Sequence, residues 1–104
     1  VILMNIQLLY FNGCPSWQDG LKNLEIALRE LQIDAPIELV KVLDDPDAAR
    51  LKFAGSPSFW VDSRDLWYEQ RENYSLSCRV YATPAGLRGT PTIAILKEKL
   101  TVKG

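Results

Sequence analysis

Apolar positions along this chain fall into short runs of two different periods. Ile6-Gln7-Leu8-Leu9-Tyr10-Phe11 is a mostly apolar, aromatic-rich run of the length of a buried strand. Asn12-Gly13 breaks it, because both residues tolerate turn geometry. The period then changes. Leu21, Leu24, Leu28 and Leu31 recur at helical spacing, with Asp19, Lys22, Glu25 and Arg29 on the opposite face. The pattern predicts an amphipathic helix from about Pro15 to Leu31, with Glu25 and Arg29 in the favourable i, i+4 orientation. Ile37-Glu38-Leu39-Val40-Lys41-Val42-Leu43 is nearly continuous in apolar character and suits an internal or near-internal strand. A helical crossover joins it to the first strand, which predicts a parallel βαβ unit.

The remaining segments continue the alternation. Asp44-Asp45-Pro46 is a strong helix start, and the second helix is expected over Pro46 to Phe53, burying Ala49 and Phe53. Ala54-Gly55-Ser56-Pro57 closes it and opens the strand Ser58-Phe59-Trp60-Val61-Asp62. A long connection is expected from Ser63 to Ser75, in which Trp67 and Tyr68 either cover a pocket or form satellite core. Strand character returns at Leu76-Ser77-Cys78-Arg79-Val80-Tyr81, and Thr83 to Gly89 reads as a loop. Thr90-Pro91 should cap a last helix whose apolar stripe is Ile93, Leu96 and Leu100. Each expected helix opens on a proline preceded by a capping-type residue: Cys14, Asp45 and Thr90. The resulting order is β-α-β-α-β-β-α. It predicts a single α/β domain over residues 1–104, with a four-stranded mixed sheet flanked by three helices.

Composition narrows the function classes. With 104 residues, 47 % apolar and 24 % charged, the chain has the balance of one ordinary globular domain. A net charge of −1 and a pI near 5.4 argue against a nucleic-acid or anionic-membrane binder. No stretch approaches the ~20 apolar residues of a membrane span. The opening Val1-Ile2-Leu3-Met4 lacks a basic region and a cleavage site, so no secretory signal is read there and a cytoplasmic location is expected. Met4, the only methionine, is read as a candidate natural start. Histidine is absent, which removes Cys-His and Ser-His nucleophile pairs and the common zinc sites. Two cysteines are too few for a disulfide scaffold or a four-thiolate metal centre, so neither metal nor cofactor is expected.

The chemistry that survives is that of a thiol. Cys14 stands between a strand-ending turn and Pro15, which presets the φ of a first helical residue. The free amides and dipole of a helix start favour negative charge, and cysteines so placed have pKa values of roughly 3.5–7.5. The plainer alternative is a small buried residue at a tight turn.

The stretch from Ile6 to Trp17 resembles the first strand, active-site loop and first helix of thioredoxin-like proteins. Where that superfamily carries Cys-x-x-Cys, this chain has Cys14-Pro15-Ser16-Trp17, so the local dithiol is absent. The whole chain resembles small thioredoxin-family proteins with a Gly-Cys-Pro-x-Trp loop, some of them associated with alkylmercury lyases. The resemblance implies a cis proline at Ser56-Pro57, facing Cys14. It implies that the Ser56 backbone is free to pair with an extended peptide or a glutathione-like ligand. Pro15, Trp17, Ser56 and Pro57 then form the substrate-binding set. Trp17 is expected half-buried beside the cysteine.

Two function classes follow. In the first, Cys14 is the nucleophile of a thiol redox or thiol-exchange protein acting on a protein or glutathione-like thiol or disulfide. Cys78 is the candidate resolving thiol, with Arg79 as its local cation. In the second, the chain is a non-catalytic interaction or soft-metal-binding module, and Cys78 is an inward-packed strand residue.

Overall fold

The computed structural model describes residues 4–101. The opening Val1, Ile2 and Leu3, read above for signal character, lie outside them. The elements are β1 (Ile6–Tyr10), α1 (Trp17–Glu30), β2 (Ile37–Lys41), α2 (Asp45–Leu51), β3 (Ser58–Val61), β4 (Arg64–Asp65), β5 (Tyr81–Thr83), β6 (Gly86–Arg88) and α3 (Ile93–Thr101). The described residues form an α/β fold with a four-stranded mixed sheet in the order β2-β1-β3-β4 and three helices. β1 and β2 are parallel, with Ile6 opposite Ile37 and Tyr10 opposite Lys41. β3 runs antiparallel to β1, placing Phe59 opposite Leu8, and β4 runs antiparallel to β3.

Strand alternation sorts the core into two layers. Ile6, Leu8, Phe59 and Val61 face α1 and α3, where Leu24, Leu28, Leu96 and Leu100 are buried against them. Leu9 and Val42 project to the other face and pack on Ala48 and Phe53. α1 and α3 therefore share one layer and α2 lies on the opposite side. Between the first two, Asn23 donates to the Pro91 carbonyl at 2.9 Å and Lys97 pairs with Glu30 at 3.0 Å.

Several expectations are corrected here. β2 is an edge strand rather than an internal one, and Leu39 is 45 % exposed on it. α1 begins at Trp17 after Ser16, two residues beyond the predicted proline start. α3 begins at Ile93, capped by the Thr92 hydroxyl, which accepts from Ile95 N–H at 3.2 Å; Thr90 is not its cap. In α2 the cap is Asp44 rather than Asp45, and Pro46 is the second helical residue rather than the first. The Asp44 carboxylate accepts from Asp47 N–H at 2.8 Å, and the Asp47 carboxylate accepts from Leu43 N–H at 3.0 Å. Because α2 starts at Asp45, its phase buries Ala48 and exposes Ala49, the reverse of the expectation.

The largest differences lie after β3. The expected long connection is present but starts after β4 rather than directly after β3, with residues 66–80 outside any helix or strand. Asp62 and Ser63 both take left-handed φ, 52° and 66°, and turn the chain directly into β4. Two consecutive positive φ values match the twist of a two-residue hairpin. The fourth strand is therefore Arg64–Asp65, and the expected strand at Leu76–Tyr81 reduces to one parallel bridge between Ser56 and Cys78. Thr83 to Gly89, expected as a loop, forms most of the β5–β6 hairpin.

α1 lies unusually close to the loop before β3. A side chain added at the buried Gly20 would place its Cβ 2.9 Å from Pro57 Cγ, 3.1 Å from Thr90 Oγ1 and 3.2 Å from Phe59 Cζ. Gly20→Val should therefore force the helix off the sheet and cost about 1–3 kcal/mol by overpacking. A lowered urea midpoint with an unchanged slope checks this, and an unchanged midpoint would refute the close approach.

Candidate functional site

The site is built where three separate stretches meet at Ser56. The turn after β1 closes through Cys14 N–H donating to Phe11 C=O at 3.2 Å, which turns the Cys14 side chain into the protein. Cys14 is 1 % exposed, and its thiol donates to the Ser56 carbonyl at 3.3 Å. Cys14 precedes the α1 cap by two residues, and its hydrogen-bond partner is a carbonyl oxygen rather than the amides of a helix start.

The second stretch is Gly55-Ser56-Pro57. The Ser56-Pro57 peptide is cis. Gly55 takes a φ of 125°, a conformation open to glycine, and both Ser56 and Pro57 are fully buried. The Pro57 carbonyl accepts a hydrogen bond from the Tyr81 hydroxyl, and burial pushes that phenol's pKa upward.

The third stretch is Ser77-Cys78-Arg79. Ser56 N–H donates to Ser77 C=O at 2.8 Å, and Arg79 N–H donates to Ser56 C=O at 3.0 Å. The Ser56 backbone is thus not free, contrary to the expectation. This pairing carries Cys78 up to Cys14. Both thiols are free. Hydrogen bonding to Cys14 is the largest cause pushing the Cys78 pKa up, to about 11, with desolvation second. Cys78 itself is exposed rather than packed inward.

Arg79 does not act as a cation for the thiols. Its side chain is 7 % exposed and turns to the opposite side of the segment. There the guanidinium donates to both Asp65 carboxylate oxygens at 3.1 and 2.9 Å, to Ser58 Oγ at 3.2 Å and to the Trp67 carbonyl. It also lies 5.7 Å from the Tyr81 ring centroid. Trp67 packs edge-on against Tyr81 at 4.8 Å and is satellite core, whereas Tyr68 is 75 % exposed.

Of the residues expected from sequence, Cys14, Ser56, Pro57 and Cys78 come together. Pro15 is exposed in the turn before α1. Trp17 is half-buried as expected and stacks on Tyr10, with ring centroids 4.1 Å apart. Asp65 and Tyr81 were not expected, and Arg79 was expected as a cation beside Cys78 rather than buried against Asp65. A buried arginine leaves no trace in a hydropathy pattern, because it reads as a surface residue. Gly55 did carry a signal, since a glycine just before Ser-Pro marks a backbone in an unusual conformation. Comparisons with family models, with curated proteins and with solved structures return no match to this chain.

Proposed function

We propose that this chain is a cytoplasmic thiol–disulfide exchange protein of thioredoxin-like fold, in which Cys14 and Cys78 cycle between a dithiol and an intramolecular disulfide. The observation that carries the reading is the meeting of two thiols, distant in sequence, on the backbone of Ser56. The fold reading is supported by the strand order β2-β1-β3-β4, with a cysteine turn after β1 and a cis proline before β3.

A redox cycle needs no histidine here. A substrate disulfide RS–SR takes the two electrons of the pair, leaving as two RSH while a Cys14–Cys78 bond forms. The exposed Cys78 forms the mixed disulfide and the buried Cys14 resolves it, the reverse of the roles expected from sequence, and the fourth loop position where Cys-x-x-Cys proteins place their resolving thiol is filled by Trp17.

The same two sulfurs could instead clasp a soft metal ion in a module without turnover. Redox equilibration separates the readings. Incubated with mixtures of oxidised and reduced glutathione, the wild-type protein should lose the mass of two hydrogens. Cys14→Ala should instead accumulate a glutathione adduct on the exposed Cys78, whereas Cys78→Ser, whose remaining thiol is buried, should stay unmodified. Persistence of a wild-type dithiol in the most oxidising mixtures would sink the exchange reading.

A further inference from the structure

A thiol pair at the edge of a strand raises the question of what can approach it. An open strand edge pairs with extended polypeptide through its N–H and C=O groups. At Ser56 both groups are already used, the N–H by Ser77 and the C=O by Arg79. The chain's own segment lies where a partner strand would lie.

We propose that Ser77-Cys78-Arg79 is a built-in occupant of the backbone edge at Ser56, restricting the Cys14–Cys78 pair to small thiols and disulfides that enter at Cys78. The inference rests on the exchange reading above and adds the substrate class.

Three observations support it. The segment is flush against its neighbour: a Cβ on Gly55 would stand 2.8 Å from Arg79 Cβ and 3.1 Å from its Cα and N. It is also anchored, because peeling it away would pull the Arg79 guanidinium from Asp65, Ser58 and Trp67. Both charges of that pair are more than nine-tenths buried, so separating them exposes or strands both. Finally, access is unequal. Cys14 is sealed from solvent while Cys78 is exposed.

The order of chemical events follows from that access. In the oxidised protein a small thiolate RS⁻ attacks Cys78 Sγ. The Cys14–Cys78 bond breaks and its electron pair goes to Cys14 Sγ, which takes up a proton. A second RS⁻ then attacks the RS sulfur of the mixed disulfide. RSSR leaves, and the Cys78 thiolate takes the second proton. Two RSH are oxidised to RSSR and one protein disulfide is reduced. The reverse sequence oxidises the pair with a small disulfide. At no step does a partner need the Ser56 edge.

The test compares reductants on the oxidised protein. Glutathione and 2-mercaptoethanol should reduce it at least about tenfold faster than an extended single-cysteine peptide, with rates corrected to equal thiolate concentration. Arg79→Lys and Asp65→Asn loosen the anchor while keeping hydrogen-bonding groups in place, and in them that ratio should shrink towards one. Equal rates for peptide and small thiols on the wild-type protein would overturn the proposal without touching the exchange reading, and need no variant to fold. Failure of the wild type to form its disulfide, seen by mass before any rate is measured, would remove the exchange reading and the proposal with it.

Discussion

Arg79→Met should destabilise the protein by about 3–5 kcal/mol, the usual effect of stranding one member of a buried ion pair. That is a large part of the ~5–15 kcal/mol of a whole domain. The substitution keeps much of the side-chain volume but leaves the Asp65 carboxylate, 5 % exposed, without its cation. The Trp67 carbonyl and the Ser58 hydroxyl lose a donor at the same time. Pairing it with Asp65→Leu removes the stranded charge, and the double variant should recover part of the loss. Urea unfolding of the four proteins of this cycle measures the coupling directly. If Arg79→Met unfolds at the wild-type midpoint, the guanidinium is not a structural anchor.

The second large effect concerns reactivity. In the reduced protein both thiols are guarded, Cys14 by burial and Cys78 by its raised pKa. Cys14→Ala removes the hydrogen bond that contributes most to that rise, so the Cys78 pKa should fall from about 11 towards the ordinary 9.0. At neutral pH the thiolate fraction then grows by up to ~100-fold, while the lower basicity costs a factor of ~8 in nucleophilicity, for a net gain of about tenfold. Alkylation of Cys78 by iodoacetamide should therefore quicken by about tenfold at neutral pH. The midpoint of its pH–rate profile should move down. A rate that does not change on Cys14→Ala would mean that the two thiols do not sense each other.

The sheet was legible where period and burial agree. Ile6, Leu8 and Leu9 sort to two faces because neighbouring strand residues point oppositely, and the second layer needed only Val42 and Phe53 to be apolar. Cys14 and Ser56-Pro57 were associated through the resemblance alone, because nothing local in the chain says that a turn after one strand meets the loop before another. The hairpin after β3 was hidden because Asp62 and Ser63 take positive φ without a glycine, the residue that usually announces such a turn. β2 read as internal because its apolar residues are continuous, and nothing local says that Leu39 lies on an edge. Arg79 was illegible for a deeper reason. Its burial is bought by Asp65, fourteen positions earlier, and only the tertiary fold brings the two together.

The meeting of residues 14 and 78 also bears on the unfolded chain. A bond between them would close a loop of ~60 residues, most of the sheet included, and remove about 4 kcal/mol of chain entropy from the denatured ensemble. Oxidation would then act on the fold as well as on the sulfurs, through states in which neither cysteine is near the other. By linkage, whatever holds the native fold together also favours the bond, and a reductant becomes a denaturant of modest strength. For this protein the redox poise of its surroundings and the margin of its stability would be two readings of one equilibrium.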